Sequence, residues 1–144
     1  MEKVNIEEKL SLFTDHWSPK IIGELNGQQV KLVKIQGEFM WHKHDHEDEL
    51  FYVVKGSFEM HYRDRIVSLS ENEIVIVPRG VEHRPVARAE ACILLFEPAT
   101  TVNTGEFDNE YTKAVLDWIW TLPELNDRKK EDLSHVRPSS IHDN

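Results

Sequence analysis

The sequence predicts an all-β domain, a jelly-roll barrel with short terminal helices, and three features of the chain support this fold class. Residues 30–97 consist mostly of short segments rich in β-branched and aromatic residues, which are typical of strands. Turn-forming residues separate these segments, for example Gly37 and Pro78-Arg79-Gly80. Helix-like spacing of apolar residues appears only towards the two ends. Since connections this short favour antiparallel hairpins, one compact barrel is expected.

The predicted elements follow one another closely along the chain. Asn5 can cap a short N-terminal helix that carries Ile6, Leu10 and Phe13 on one face. Eight strands are predicted next, over residues 30–35, 39–44, 49–54, 57–62, 66–69, 74–77, 84–86 and 91–97.

The C-terminal part of the chain has a different pattern. Tyr111, Val115 and Trp118 recur at helical spacing, which predicts a second helix over residues 108–120 that Pro123 closes. Residues 124–144 are polar and predict a surface tail. The predicted organisation is an N-terminal helix and lead-in over 1–25, a barrel over 26–106, and a C-terminal helix and tail over 107–144.

Composition limits the classes of function. The chain has 144 residues, which suits one domain, and its formal charge is −9, with 26 acidic and 17 basic residues. Such a chain is expected to repel nucleic acid and anionic membrane surfaces. No apolar run approaches the roughly 18 residues that span a bilayer, and the first residues lack the apolar core of a signal peptide. The single Cys92 excludes an internal disulfide and is predicted to be a buried packing residue, which suits a cytoplasmic location.

Two short patterns carry the chemistry, His42-x-His44-x4-Glu49-x6-Gly56 and Pro78-x-Gly80-x2-His83. Alternate residues of a strand share a face, so His42 and His44 would point together into the barrel. A polar turn over residues 45–48 would return the chain and bring Glu49 across the hairpin, and the second pattern would deliver His83. Imidazole nitrogens with one carboxylate oxygen suit Fe, Mn, Co, Ni, Cu or Zn, whereas Mg and Ca prefer oxygen shells. We therefore predict one divalent transition metal, with open positions left for water, substrate or dioxygen.

Two alternatives bear on this ligand set. Any one of these histidines alone would more often be a hydrogen-bonded barrel residue than a ligand, and the metal prediction depends on the set at this spacing. His46 could form an alternative pair with His44, but it lies where the chain must turn, so a solvated residue at the lip is favoured.

The paired pattern resembles the signature of the cupin superfamily, and the likeness to small single-domain cupins extends over residues 17–106. The segment Pro78 to Pro85 is similar to the second family motif. The resemblance implies a cupin-type double-stranded β-helix, and it implies metal-ligand roles for His42, His44, Glu49 and His83. Chains of this appearance are often labelled sugar-phosphate isomerase-like. Cupins nevertheless include dioxygenases, isomerases, lyases, sensors and storage proteins, so the resemblance does not select a reaction.

Strand phase predicts an apolar substrate pocket around the metal, formed by Met40, Phe51, Phe58, Met60 and Tyr62. Arg79 is added to the pocket because it lies in the loop that carries His83. Arg79 could meet an anionic substrate, and its loop and the acidic turn over residues 45–48 are expected at the lip. The favoured function is an enzyme that acts on a small polar molecule, carbonyl or sugar-like, as an isomerase or a dioxygenase. The alternatives are a non-catalytic cupin that senses a small molecule or metal, and a structural module with a vestigial metal site.

The opposite strand face is also apolar and comprises Phe39, Trp41, Leu50, Tyr52 and Val54. A one-sided antiparallel sheet would carry polar residues there. An apolar second face needs a cover, either the terminal helices or another subunit. Cupins commonly pair through such a face, so the resemblance implies a homodimer.

Overall fold

The structure is a computed structural model that describes residues 3–120 and 122–134. Its elements in chain order are α1 (Ile6–Leu10), β1 (Lys20–Leu25), β2 (Gln28–Glu38), β3 (Glu49–Lys55), β4 (Ser57–Tyr62), β5 (Ile66–Ser70), β6 (Ile74–Val77), β7 (His83–Pro98), β8 (Asp117–Trp118) and α2 (Leu122–Ser134). As far as the described residues extend, neither helix has the length and apolar character needed to cross a membrane.

The long strand β7 organises the sheet. Its first part, residues 83–86, pairs antiparallel with β4, and its second part, residues 92–98, runs between β2 and β3. The strand order is β5-β4-β7-β2-β1-β8, with β3 joining β7 to β6, so the path does not close on itself. The predicted all-β jelly-roll class is confirmed, as an open and strongly bent sheet.

Two groups of buried side chains stabilise this sheet. The larger lies on its inner face, where Val53, Met60 and Ile93 are almost completely buried. The smaller lies on the outer face beneath α1 and includes Leu10 and Cys92. Cys92 is buried as predicted, and burial raises the pKa of its thiol.

The N-terminal helix forms as predicted, because its cap is present. The side chain of Asn5 accepts a 3.1 Å hydrogen bond from the amide of Glu8, which satisfies one of the free amides of the first turn. Leu10 is buried against the sheet, together with Phe13 just beyond the helix.

The predicted second helix over residues 108–120 is wrong. Asn109 and Thr112 form side chain–backbone hydrogen bonds in this region, including one from the amide of Asn109 to Thr112 Oγ1 at 2.9 Å. Such bonds compete with helix formation, and the segment forms turns followed by β8, which pairs parallel with β1. The helix lies later, from Leu122 to Ser134, and Pro123 falls in its first turn, where a missing amide costs no helical hydrogen bond. The rest of the predicted tail, residues 135–144, lies outside the described residues.

Three strand predictions also differ from the structure. Strand β1 was not predicted, and the two strands predicted over 84–86 and 91–97 form one strand, β7. Residues 39–44 form no continuous strand, and within them His42 alone makes a β-bridge. An irregularity between Ile35 and Gly37 interrupts the pairing of β2 with β7 and breaks the expected alternation. Phe39, predicted on the outer face, is consequently buried, whereas Met40 is only half-buried.

Candidate metal centre

Four side chains meet inside the bent sheet, near the start of β3 and the start of β7. His42, His44, Glu49 and His83 are all buried, and each offers one ligand atom within 4.8 Å of the others. His42 and His44 lie in the segment that connects β2 to β3, Glu49 is the first residue of β3, and His83 is the first residue of β7, remote in the sequence. The spacing-based prediction that these residues would converge therefore agrees with the structure.

Backbone hydrogen bonds hold two of these residues together. The amide of His42 donates to the carbonyl of His83 at 3.1 Å, and the amide of His83 donates back to the carbonyl of His42 at 2.9 Å. This isolated β-bridge sets the two imidazole rings side by side, with 4.2 Å between their centroids.

The same two histidines are held in one tautomer. Nδ1 of His42 lies 3.0 Å from the carbonyl of Met40, and Nδ1 of His83 lies 2.9 Å from the carbonyl of Val81. A carbonyl can only accept, so each Nδ1 carries the proton and donates it. The unprotonated Nε2 is then available as a metal ligand, and the backbone fixes the orientation of each ring.

Burial and neighbouring charges set the protonation of the cluster. Burial lowers the pKa of His42 to about 4, and the adjacent His83 adds to this effect. Burial by itself would raise the pKa of the Glu49 carboxyl. His44 and His83 outweigh it and hold that pKa well below its usual range. A neutral imidazole and an ionised carboxylate are the protonation states that a metal requires.

Several inward-facing atoms in this cluster have no hydrogen-bond partner among the described residues. They are Nε2 of His44, Oε2 of Glu49 and Nε2 of His83. The Glu49 oxygen lies 3.3 Å from His44 Nε2 and 3.4 Å from His83 Nε2, but neither contact satisfies hydrogen-bond geometry. Buried polar atoms without partners are costly and rare in folded proteins. A single divalent ion would satisfy all three at once, so the donor set fits a metal.

A buried ion pair lies behind the cluster and was missed in the sequence. Lys31 Nζ donates a 2.7 Å hydrogen bond to Glu97 Oε1, and both side chains are almost completely buried. Burial, followed by the negative charge of Glu49, raises the pKa of the Glu97 carboxyl well above its usual range. Strand phase could have predicted that this pair is buried. Lys31 is two residues from Val33, and Glu97 is two residues from Leu95, so each shares a strand face with an apolar core residue.

An apolar cavity adjoins the cluster, and His42 and Glu49 form part of its wall. Its lining consists of Trp17, Pro19, Val33, Ile35, Phe39, His42, Glu49, Phe51, Pro85, Ile93, Leu95 and Asn103. Trp17 and Asn103 are half-buried whereas the other lining residues are buried, so these two mark the mouth.

The predicted substrate pocket must be corrected, because Phe51 is its one member that lines this cavity. Phe58, Met60 and Tyr62 are buried in the hydrophobic core on the inner face of the sheet. Met40 does not face the cavity, and its sulfur accepts a 2.9 Å hydrogen bond from Asn109. The alternation of side chains along β4 correctly predicted that these residues face the interior of the sheet. It could not distinguish the part of the interior that is packed with side chains from the part that forms the cavity.

Arg79, the remaining predicted pocket residue, does not line the cavity either. Its exposed side chain pairs with Asp48 at 3.2 Å, and its amide donates a 2.8 Å hydrogen bond to the same carboxylate. These bonds tie the loop before His83 to the turn before Glu49. The acidic turn lines a separate surface depression that touches His44, and His46 lies there exposed and outside the ligand cluster.

The segment after β7 packs across the ligand-bearing loop, which sequence reasoning did not anticipate. Thr100 donates a 3.0 Å hydrogen bond to Glu47, and the Tyr111 ring packs edge-on against Phe39 at 5.5 Å. Gly105 lies directly against the backbone of Lys43, too close for any Cβ. This segment also supplies Asn103 to the cavity, and nothing in its own sequence pattern indicated that position.

Comparison with known proteins identifies the family. A cupin-domain family model matches residues 30–96. A cupin-2 domain-containing protein from Shewanella frigidimarina NCIMB 400 is 45% identical; the match covers 66% of this chain and 93% of that chain, with a TM-score of 0.65. Protein NMB1881 from Neisseria meningitidis is 30% identical, with 68% and 100% covered and a TM-score of 0.63. The chain belongs to the cupin superfamily.

Matches to curated sequences are shorter. The uncharacterized protein YdbB of Bacillus subtilis (strain 168) is 36% identical over 64 residues, which is 44% of this chain. The chain spans 57% of the length of YdbB and 13% of the length of a second curated relative. These matches support the fold but do not identify a reaction.

Proposed function

We propose that this cupin binds one divalent transition metal through His42, His44, Glu49 and His83, and uses it to act on a small molecule in the adjoining cavity. One observation carries the proposal, namely the convergence of four buried ligand atoms, three of them without hydrogen-bond partners among the described residues. Iron, manganese, cobalt, nickel, copper and zinc all suit this donor set.

The residues of the chain have separate roles in this proposal. When bound, the metal supplies Lewis acidity and, if it is redox-active, electron transfer. The carbonyls of Met40 and Val81 keep His42 and His83 in the ligating tautomer. The apolar wall excludes water from the side of the cluster formed by His42 and Glu49. The bound molecule would be held between this wall and the metal.

The cavity lining favours dioxygen chemistry over carbonyl isomerisation. Isomerisation of a carbonyl compound requires a base that moves a proton beside the metal. Among the lining residues, the titratable ones are His42 and Glu49, which the proposal assigns to the metal. An Fe(II)-dependent dioxygenase needs no separate base of this kind, so we propose it ahead of an isomerase.

The same lining supports a second candidate, a non-catalytic cupin that senses a small molecule or metal. A pocket that has metal ligands but no additional acid or base can bind a molecule without converting it. The acidic composition argues against nucleic acid as the partner in either case. A cytoplasmic location is part of the proposal and is supported by the single, buried Cys92.

Elemental analysis of protein purified without added metal tests the proposal. We expect close to one equivalent of a transition metal per chain, and loss of that metal in His83→Ala. Iron would support the dioxygenase, and oxygen consumption by the Fe(II)-loaded protein would then be measured against candidate substrates. Redox-inert zinc would instead favour the sensor. A metal content near zero, unchanged by reconstitution, would refute the metal site.

We also propose a homodimer that forms through the outer face of β6, β3 and β7. Ile76 pairs across the sheet with Leu50, and Leu50 pairs with Phe96, which makes one apolar row. Ile74, Tyr52 and Leu94 make a second row beside it. Ile74 and Ile76 are more than half exposed, at 56% and 55%, so α1 does not cover this part of the face. Apolar exposure of this extent is typical of an interface.

A further inference from the structure

We propose that the cavity binds a small planar apolar ring that carries one oxygen donor, such as an aromatic acid or a phenol, rather than a sugar-like molecule. The inference rests on the proposed metal site, because the oxygen donor is assigned to the metal.

The inner wall of the cavity offers only apolar surface to a ligand beyond the metal cluster. Val33, Ile35, Ile93 and Leu95 project into it from β2 and β7, and Phe51 adds an aromatic ring from β3. These side chains have no donor or acceptor. A ligand that fills this space must therefore present apolar atoms.

The other lining residues do not change this conclusion. The side chain of Asn103 is engaged at both ends, since it donates to the carbonyl of Tyr111 at 2.7 Å and accepts from the amide of Lys113 at 2.8 Å. The indole nitrogen of Trp17 donates to the carbonyl of Gln36 at 3.0 Å. The several hydroxyls of a sugar would leave water here and find few partners, which is unfavourable.

Aromatic rings give the cavity its shape. Trp17 and Phe39 stack with 4.9 Å between their centroids and 27° between their planes. Phe39 meets the His42 ring edge-on at 5.2 Å, and Phe51 meets the His83 ring in the same manner at 6.2 Å. A planar ring can pack against such surfaces face-on or edge-on, and both arrangements are favourable for aromatic pairs. The cavity therefore suits a flat ligand whose edge points at the metal cluster.

Trp17 holds its position at the mouth through an unusual backbone conformation. Its φ angle is +55°, a left-handed conformation that bulky residues rarely adopt. Its amide donates a 2.9 Å hydrogen bond to the carbonyl of Lys34, which fixes the residue on β2. Such strain persists where the surrounding structure imposes it, often at binding sites. The result is an indole ring placed over the Phe39 ring at the entrance of the cavity.

The test uses Zn²⁺-loaded full-length protein whose metal content is measured on the same sample. Binding of 4-fluorobenzoate is followed by ¹⁹F NMR, and benzoate and gluconate are compared as competitors, because each carries one carboxylate but only benzoate has a ring. We expect benzoate to displace the probe at a concentration about tenfold or more below that required of gluconate, because the gluconate hydroxyls would lose hydrogen bonds to water in the cavity. Equal or better displacement by gluconate would overturn the inference.

Two tryptophan variants locate the binding site. Trp17→Ala should weaken 4-fluorobenzoate binding by about fivefold, the value of one aromatic contact. Trp41→Ala is the matched control, since Trp41 is also half-buried but lies beneath the Arg63 guanidinium, 3.9 Å away, and outside the cavity lining. Equal effects of the two variants would refute the assigned site.

Metal content separates the two proposals. Protein that holds zinc but fails these binding tests would overturn the ligand class and leave the metal site intact. Protein that holds no zinc would overturn both, because the oxygen donor would then have no metal to bind.

Discussion

The amide of Gly80 donates a 2.8 Å hydrogen bond to the carbonyl of His44, and this bond joins the two sequence patterns that supply the metal ligands. Gly80 adopts a φ of +77°, a left-handed conformation that glycine reaches without steric cost. The turn that it forms places His83 opposite His42, while its amide holds the backbone of His44. The glycine in the second pattern thus positions ligands from both patterns.

The four ligands should act as a unit. Replacing any one of them, for example His83→Ala, should weaken metal binding by more than about 100-fold, since removing even an outer partner of a ligand costs 10–100-fold. Metal content by elemental analysis and metal-induced thermal stabilisation check this prediction. His46→Ala is the control and should retain both, because His46 is exposed and outside the cluster. Loss of metal in that control with retention in His42→Ala would contradict the ligand assignment.

Metal-free protein should lose stability as the pH falls from about 6.5 towards 4. In the unfolded chain, histidine takes up a proton near pH 6.5, whereas burial lowers the pKa of His42 in the folded protein to about 4. The unfolded state therefore binds more protons in this window, and His42 alone should account for a loss of up to about 3 kcal/mol. Urea unfolding at several pH values measures the loss. In His42→Gln the unfolding free energy should depend less steeply on pH. An unchanged slope would show that His42 is not the group responsible for the loss.

Met60→Ala should destabilise the protein by about 2–5 kcal/mol without altering the metal site. The sequence placed Met60 in the substrate pocket, but the structure buries it completely in the core, outside the cavity lining. Denaturant unfolding and metal content test the two halves of this prediction. Half-buried Met40 provides the control, and Met40→Ala should cost considerably less.

Gly105→Ala should disturb the packing of the segment after β7 on the ligand loop. A Cβ at Gly105 would overlap the carbonyl oxygen of Lys43, in addition to the strain at φ +63°. Gly27→Ala is the matched control, because Gly27 has a similar φ of +74° but open space around it. The control should cost about 1 kcal/mol of unfolding free energy, and Gly105→Ala clearly more. Equal costs would mean that the contact with Lys43 contributes nothing.

Light scattering should give a mass near twice the 16.9 kDa of the chain at micromolar concentration. Ile76→Lys, on the proposed interface, should shift the protein to monomer because it would place a charge between two apolar faces. Ile66→Lys is the control, since Ile66 is equally exposed, at 58%, but lies on β5. A monomeric mass for the unchanged protein would refute the dimer.

The all-β class, the capped N-terminal helix and the convergence of four ligands could all be predicted from the amino-acid sequence. These features depend on local chemistry and short spacings. Asn5 caps the helix through a residue three positions away, and the turn over residues 45–48 brings Glu49 back to His44. Turn residues and β-branched segments likewise specify hairpins, because the two strands of a hairpin are close together in the sequence.

The residues that line the cavity could not be predicted from the sequence, because they depend on how distant segments pack together. Parity predicted that Met60 and Phe51 would both face inward, and both are buried, but packing leaves empty space beside Phe51 alone. Trp17 and Asn103 reach the cavity from segments far from the ligand patterns, through contacts that no local spacing encodes.

The C-terminal segment was misjudged for a related reason. Helical spacing of Tyr111, Val115 and Trp118 predicts an amphipathic helix, but the side chains of Asn109 and Thr112 accept hydrogen bonds from nearby backbone amides and stabilise turns instead. Trp118 pairs with Ile21 on β1, a partner almost a hundred residues away in the chain. Contacts of this kind form only when the sheet is assembled, because the free energy of burial depends on the partner surface and not on the segment alone.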